Sequence, residues 1–347
     1  MATILKKRIV NLALQGGGAH GAFTWGALDR LLEEELLEFD GISGTSAGAM
    51  NAAMLKSGMV DGGHKGARQQ LDLFWNEIKR QSKRNVNPVA DWMSLFSPDA
   101  GKIADSVVAS PLYQMQDTLS RTLSPYDWNP LNLNPLRDLL CELIDFDAVC
   151  KECEPHLFIS ATNVQTGKIK AFNDDDLSVD MILASACLPS LFQAVEVKGE
   201  FYWDGGFMGN PALFPLFYKS ASDDVIIIHV NPIERPEVPR TATQIQNRVN
   251  EISFNSSLLR ELRNVHFVRR LIAEGRLNPG EMKNILIHSI RDDATMAALN
   301  VATKLAPEPA LFDHLKAAGR ATADAFLQEN WTNLGKDSSV DLRAMFD

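Results

Sequence analysis

Three groups of residues in this sequence could do chemistry together: a serine set between glycines in Gly44-Thr45-Ser46-Ala47-Gly48, the bare run Gly16-Gly17-Gly18, and the aspartate of Asp204-Gly205-Gly206. A serine hydroxyl is a weak nucleophile that needs a base, and the oxyanion formed by attack on an acyl carbon needs donors already in place. Gly44 and Gly48 carry no side chains to block a tight bend or the approach of an acyl group, which makes Ser46 the candidate nucleophile. Residues 15–21 offer backbone N–H groups without bulky side chains. Gly16, Gly17 and Gly18 are therefore the candidate oxyanion loop, with Gly21 as the last glycine of that motif. Asp204 is the candidate base: it follows the aromatic run Phe201-Tyr202-Trp203, precedes Gly205 and Gly206, and apolar walls would raise its pKa toward the working range. An Asp-Gly pair is also an ordinary hairpin turn, and only the company of the other two motifs gives it weight. A triad with a histidine stays open, since His229, His266, His288 and His314 all follow the acid and His229 ends an apolar run.

Each of the first two motifs needs a strand that turns into a helix. The apolar run 9–14 predicts a strand, 22–37 a helix, 39–43 a second strand, and 47–55 a helix whose first free N–H groups lie at the serine. A further helix starts at Ala67. Such alternation implies a mainly parallel sheet in which consecutive strand ends are neighbours, so the two loops meet. Further on, 157–162 and 168–172 read as strands around Gln165-Thr166-Gly167, and 178–186 as a helix stopped before Pro189. Residues 195–203 read as a hairpin turning at Lys198-Gly199 that delivers Asp204, and 225–230 as a buried strand. Apolar residues at helical spacing over 241–273 predict a long helix broken near Asn255, followed by a strand at 284–290 and a closing helix at 309–328. Between 85 and 135 the periodicity dissolves among Pro, Asn, Ser and the aromatics Trp92, Phe96, Tyr113, Tyr126 and Trp128. That stretch is either a packed irregular loop or a lid with an apolar wall.

Composition narrows the classes of function. With 347 residues, 45% of them hydrophobic, the chain has ample material for a globular core. A net charge of −10 argues against non-specific binding to nucleic acid or anionic lipid, apart from a locally basic stretch over 235–291. No apolar run approaches the roughly 18 residues that span a bilayer. Lys6-Lys7-Arg8 imitates the start of a signal peptide, but cleavage would delete the first strand, so the expected location is the cytoplasm. Four cysteines fit a reducing compartment, and the single Cys150-x-x-Cys153 has no second pair to complete a zinc site. The glycines at 16, 18 and 21 also spell a dinucleotide fingerprint, with Asp40 near the spacing of a ribose-binding acid. Asp40 falls near the start of its strand, however, where that fingerprint needs the acid at the end.

Taken together, these residues resemble the patatin-like phospholipase family, which shares its fold with the catalytic domain of cytosolic phospholipase A2. The resemblance covers residues 11–217: the glycine loop 16–21, the Gly-Thr-Ser-Ala-Gly elbow, the block Ala184-Ser185-Ala186-Cys187-Leu188-Pro189, and Asp204-Gly205-Gly206 with Asn210-Pro211 behind it. It implies a three-layer α/β/α fold with a mainly parallel central sheet. It also implies a Ser46–Asp204 dyad, Gly17 and Gly18 as oxyanion donors, and no metal or cofactor. The expected organisation is a catalytic domain over 8–235, with the aromatic insertion inside it, and a mainly helical extension over 236–347 packed on it. The expected activity is hydrolysis of lipid carboxylic esters through an acyl-enzyme. The alternatives are acyl transfer, depolymerisation of a storage polyester, or a non-catalytic nucleotide- or lipid-binding module. The expected partner is an apolar ester and not nucleic acid; peripheral contact with membranes or lipid bodies and self-association both stay open. His20 departs from the family, which more often has Arg or Lys there.

Overall fold

A computed structural model of the chain describes residues 7–82, 123–152, 154–173, 177–278, 280–299, 303–304 and 308–346. The first strand, Arg8–Leu14 (β1), is buried on both faces, and its alternation feeds two cores. Val10, Leu12 and Leu14 enter one and Ala13 the other. A single 3-10 turn, Gly18–His20, leads into Gly21–Leu31 (α1), and the chain returns as Leu37–Thr45 (β2). The sequence predicts α1 to run to residue 37. The helix instead stops at Leu31 because Leu37 is needed as the first rung beside Arg8, and the glutamate-rich 32–36 turn reverses the chain. The long helix Ala47–Ser82 (α2) bends at Gly62 and Gly63, which hold non-helical backbone angles and separate the two helices expected there.

The insertion expected over 85–135 lies mostly outside the described residues. Its end contains the short helix Pro125–Trp128 (α3), followed by Pro135–Leu143 (α4) and Phe146–Lys151 (α5). Next come His156–Asn163 (β3), Ile169–Asn173 (β4), Val179–Ser185 (α6), and the hairpin Val195–Val197 (β5) and Glu200–Asp204 (β6). Lys198 and Gly199 both take positive φ at its turn, as the twist of a two-residue hairpin demands. Phe214–Lys219 (α7), Asp224–Ile228 (β7), Ala242–Ala273 (α8), Leu286–Ile290 (β8), Asp293–Ala297 (α9) and Pro309–Asn330 (α10) complete the order.

The strands join in one eight-stranded sheet ordered β5-β6-β3-β2-β1-β7-β8, with β4 also pairing β3. The ladders β3–β2, β2–β1, β1–β7 and β7–β8 are parallel; those of β3 with β4 and β6, and of β5 with β6, are antiparallel. One face packs α1, α2, α6 and α10 in a core that includes Phe23, Leu55, Ile182 and Phe312. The other packs α7, α8 and the C-terminal turn through Leu216, Leu258, Leu262 and Met345. The result is a three-layer α/β/α architecture. Helix α8 starts on a capping box between Thr241 and Gln244 and runs unbroken through Asn255, against the expected break there. Asn255 does not interrupt the helix because its side chain turns inward to tertiary partners described below. Strand β8 and helix α10 come from the segment expected to extend the core, and both belong to its sheet and layers. Among the described residues no helix is long and apolar enough to cross a membrane.

Candidate active site

Ser46 stands alone between β2 and α2 with φ +55°. A left-handed conformation costs a non-glycine residue about 1–2 kcal/mol, so the surroundings must hold it. Its N–H donates to Ser185 Oγ at 2.9 Å, and that hydroxyl donates to Ser160 O at 2.6 Å. Its carbonyl accepts from Ala49 N at 2.9 Å and Met50 N at 3.1 Å, closing the first turn of α2. The flanking glycines permit close approach: a side chain on Gly44 would meet Gly48 O at 2.6 Å, and one on Gly48 would strike Leu14 O. The serine is thereby presented at the mouth of the sheet, on the N-terminal end of a helix.

The glycine loop lies against it. A Cβ on Gly16 would sit 2.6 Å from Ser46 Cβ. The parallel pairing of β1 with β2, Leu14 opposite Gly44, delivers both loops to one edge. The three amides of the loop are not equivalent. Gly16 N donates to Asn210 Oδ1 at 2.6 Å and is already engaged. The amides of Gly17 and Gly18 have no acceptor among the described residues, and Gly18 takes the left-handed φ of +57°.

Asp204 arrives along the same edge of β3 that carries the serine strand. Strand β4 holds one edge of β3 over 158–162, so β2, pairing through Thr45 with Ser160, and β6, pairing through Asp204 with Ala161, share the other edge and meet nearly end to end; a side chain on Gly205 would lie 3.1 Å from Thr45 Cγ2. The carboxyl group is fully buried. Oδ1 accepts from Gly206 N at 2.7 Å, and the main-chain N–H of Asp204 donates to Cys187 O at 2.8 Å. The Ser46 hydroxyl interacts with this carboxylate and favours its charged form, yet Oδ2 completes no hydrogen bond of ordinary length and angle. The pair is a loose contact. Burial pushes the Asp204 pKa up to about 6, partly offset by the Gly206 N–H, the Ser46 hydroxyl and the charge of Lys304. Burial and the neighbouring Asp204 charge push the Cys187 thiol up to about 12, so it stays protonated and does not compete as a nucleophile.

A polar clamp fixes the glycine loop from behind. Gln15 Oε1 accepts from Val230 N at 2.9 Å and Asn231 N at 3.0 Å, while its amide donates to Asn255 Oδ1 at 3.1 Å. Asn231 Nδ2 donates to Gly16 O at 2.8 Å, and Asn255 Nδ2 to Pro232 O at 3.0 Å. The sequence names Asn210 and Ser185 only as parts of motifs, Asn255 only as a helix break and Gln15 only as the first residue of the loop; it singles out neither Asn231 nor Lys304. Gln15 carried one usable signal, an uncharged polar residue closing an otherwise apolar strand. The others have none, because they reach the site from distant segments.

The candidate histidines lie elsewhere. His229 is buried at the end of β7 with neither ring nitrogen bonded among the described residues, and burial with the nearby Arg291 charge lowers its pKa to about 3. His288 bonds Asp224 Oδ1 at 2.8 Å, His266 packs on Phe346, and His314 lies on α10. Asp40, the candidate ribose ligand, accepts instead from the N–H groups of Ala221 and Ser222, each at 2.6 Å. Cys153 lies outside the described residues, and Cys150 sits 3.6 Å from Leu177 O.

A family model described as Patatin-like phospholipase matches residues 12–217. No curated protein matches the chain. Among solved structures, VipD from Legionella pneumophila is 15% identical with a TM-score of 0.39, over 92% of this chain and 67% of that one. The type III effector protein ExoU is 17% identical with a TM-score of 0.35, over 93% of this chain and 54% of its own. The heterodimeric ExoU–SpcU complex from the type III secretion system of Pseudomonas aeruginosa matches at 19% identity and a TM-score of 0.32, over 98% of this chain and 75% of that one. The chain thus spans only about half the length of ExoU as that structure records it.

Proposed function

The chain belongs to the patatin-like phospholipase family, and from that membership we propose that it is a serine acyl hydrolase that cleaves carboxylic esters of lipids with a Ser46–Asp204 dyad. The observation that carries this reading is the Ser46 hydroxyl beside a buried carboxylate, with the unengaged amides of Gly17 and Gly18 alongside. Ser46 Oγ attacks the ester carbonyl while its proton passes to Asp204 Oδ2, and the negative oxygen settles on the Gly17 and Gly18 N–H groups. The carbon–oxygen bond to the alcohol then breaks, and the alcohol takes the proton from Asp204. This leaves an acyl ester on Ser46. Asp204 next accepts a proton from water as it attacks that ester, and collapse returns the proton to Ser46 Oγ and frees the fatty acid. Gly16 supports the loop rather than donating. In this reading residues 8–235 carry the reacting groups while β8, α8 and α10 from 236–347 complete the sheet and its layers, and the protein works in the cytoplasm on lipid surfaces it touches peripherally.

The test is release of free fatty acid from a panel of diacyl phospholipid, lysophospholipid, acylglycerol and short soluble esters. Wild-type protein is expected to release acid from phospholipid or lysophospholipid. A folded protein that hydrolyses none of the panel would remove the assignment.

The pH profile supplies a second measurement. Asp204 must be ionised to accept the proton, so kcat/KM on a soluble ester is expected to rise with a midpoint near pH 6, falling about tenfold per pH unit well below it. A profile flat between about pH 4.5 and 7 would mean that a different group is the base.

A further inference from the structure

His20 stands where the family more often carries a cation, and in the structure it is buried with its Nε2 2.7 Å from Thr303 Oγ1. Burial first, and then the neighbouring Lys304 charge, hold its pKa well below the ordinary imidazole value, so it is neutral at physiological pH. A positive charge nevertheless stands at the site, brought by a residue far along the chain. Lys304 Nζ donates to Asn231 Oδ1 at 2.6 Å, lies 3.4 Å from Asn250 Oδ1, and sits 5.9 Å from the centre of the Phe254 ring. The contacts with Asn231 and Phe254 lead back to the reacting groups. Asn231 is the residue whose other side-chain atom holds Gly16 O. Phe254 is the ring against which Gly206, in the turn after Asp204, is packed. The Lys304 carbonyl closes against Gly18 so tightly that a side chain on that glycine would strike it.

We propose that Lys304 is a positioning residue of the active site: its ammonium, held by Asn231, fixes the Gly16–Gly18 loop and stabilises negative charge on Asp204 and on the oxyanion forming at Gly17 and Gly18. The inference rests on the dyad reading above. An ammonium held in a water-poor setting acts on nearby charge more strongly than one in solvent, and it needs no reorganisation as the reaction proceeds. The charges facing Lys304 are Asp204, Glu251 and Arg235, with the uncharged His20 beside them. Glu251 is already paired with Arg235 at 2.6 Å and Arg248 at 3.3 Å, so removing Lys304 takes a cation from Asp204 alone. Taking the ammonium off its buried position also ends a desolvation cost, and the fold should survive the change.

The experiment compares wild type with Lys304→Met, Lys304→Gln and Lys304→Arg in the full chain, reading the pH dependence of both soluble-ester hydrolysis and fluorophosphonate labelling of Ser46. Lys304→Met and Lys304→Gln are expected to lose between about 10-fold and 10²-fold in kcat/KM, less than the removal of a direct oxyanion donor, and mainly in kcat. With the cation gone the ionised carboxylate is less stable, so the acid limb moves to higher pH. Lys304→Arg keeps the charge and is expected to hold the limb near its wild-type position. An acid limb that stays put in Lys304→Met and Lys304→Gln would overturn the inference. So would an arginine variant that behaves like the neutral ones, or loss of folding in all three, which would assign the lysine to the scaffold. Absence of Ser46 labelling in the wild type would instead strike at the dyad, and so is distinguishable from failure of Lys304.

Discussion

Ser46→Ala is expected to lower kcat/KM by about 10⁴-fold or more and to abolish fluorophosphonate labelling, with the melting temperature within a few degrees of wild type. The loss is large because the mechanism has no other nucleophile at that point. The Cys187 thiol is held protonated, and the remaining groups can only polarise the ester. The fold should be indifferent because alanine inherits the same left-handed backbone at the same cost, and because the bonds that hold the bend are made by main-chain atoms of residue 46. The Ser185 hydroxyl keeps its acceptor role toward residue 46 N in the variant. Labelling retained in the alanine variant would place the nucleophile elsewhere.

Asp204→Asn is expected to cost about 10³- to 10⁴-fold in kcat/KM while leaving the protein as stable as wild type or more so at neutral pH. The sign follows from linkage. Its pKa in the folded chain, about 6, lies above the ordinary 3.8, so the native protein holds the proton more tightly than the unfolded chain. This group's contribution to stability is full below pH 3.8 and declines as pH rises through about 6. At neutral pH the buried carboxylate costs the fold about 3 kcal/mol. Asparagine keeps the Oδ1 acceptor for Gly206 N and removes the charge. A thermal melt and a kinetic assay on one preparation decide the matter: more than a tenth of wild-type activity would remove Asp204 as the base. A clear fall in melting temperature with activity lost would instead give it a structural task.

The parts of this site that sequence reasoning could reach are those set by local geometry. Ser46 and the glycine loop are legible because β1 and β2 follow each other through one helix, so their ends must be neighbours, and because small residues at 16, 44 and 48 have no other explanation as economical. Asp204 was readable only through the aromatic strand that ends at it. Its pairing with Ala161, which brings it to the serine, is a tertiary fact. The predicted helix break at Asn255 failed for a related reason. Polar residues weaken a helix in isolation, but this one is held by Gln15 and the Pro232 carbonyl, neither visible from the surrounding sequence. Lys304 lies furthest from any local signal. Nothing around it resembles a motif, and its links to the glycine loop, through the 2.6 Å bond to Asn231 and the carbonyl packed on Gly18, are tertiary.

Strand β1 occupies the middle of the sheet, and its partner on one side, β7, enters with Asn11 opposite Val225. During synthesis the glycine loop therefore emerges long before the segments that will seal and clamp it. The N-terminal strands can pair early, but one flank of β1 stays open, with unsatisfied main-chain groups, until β7 has left the ribosome. Closure of the glycine loop is tied in this way to synthesis of the segment from β7 to Lys304. A nascent chain that ends before β7 would present Ser46 without the partners that hold the glycine loop.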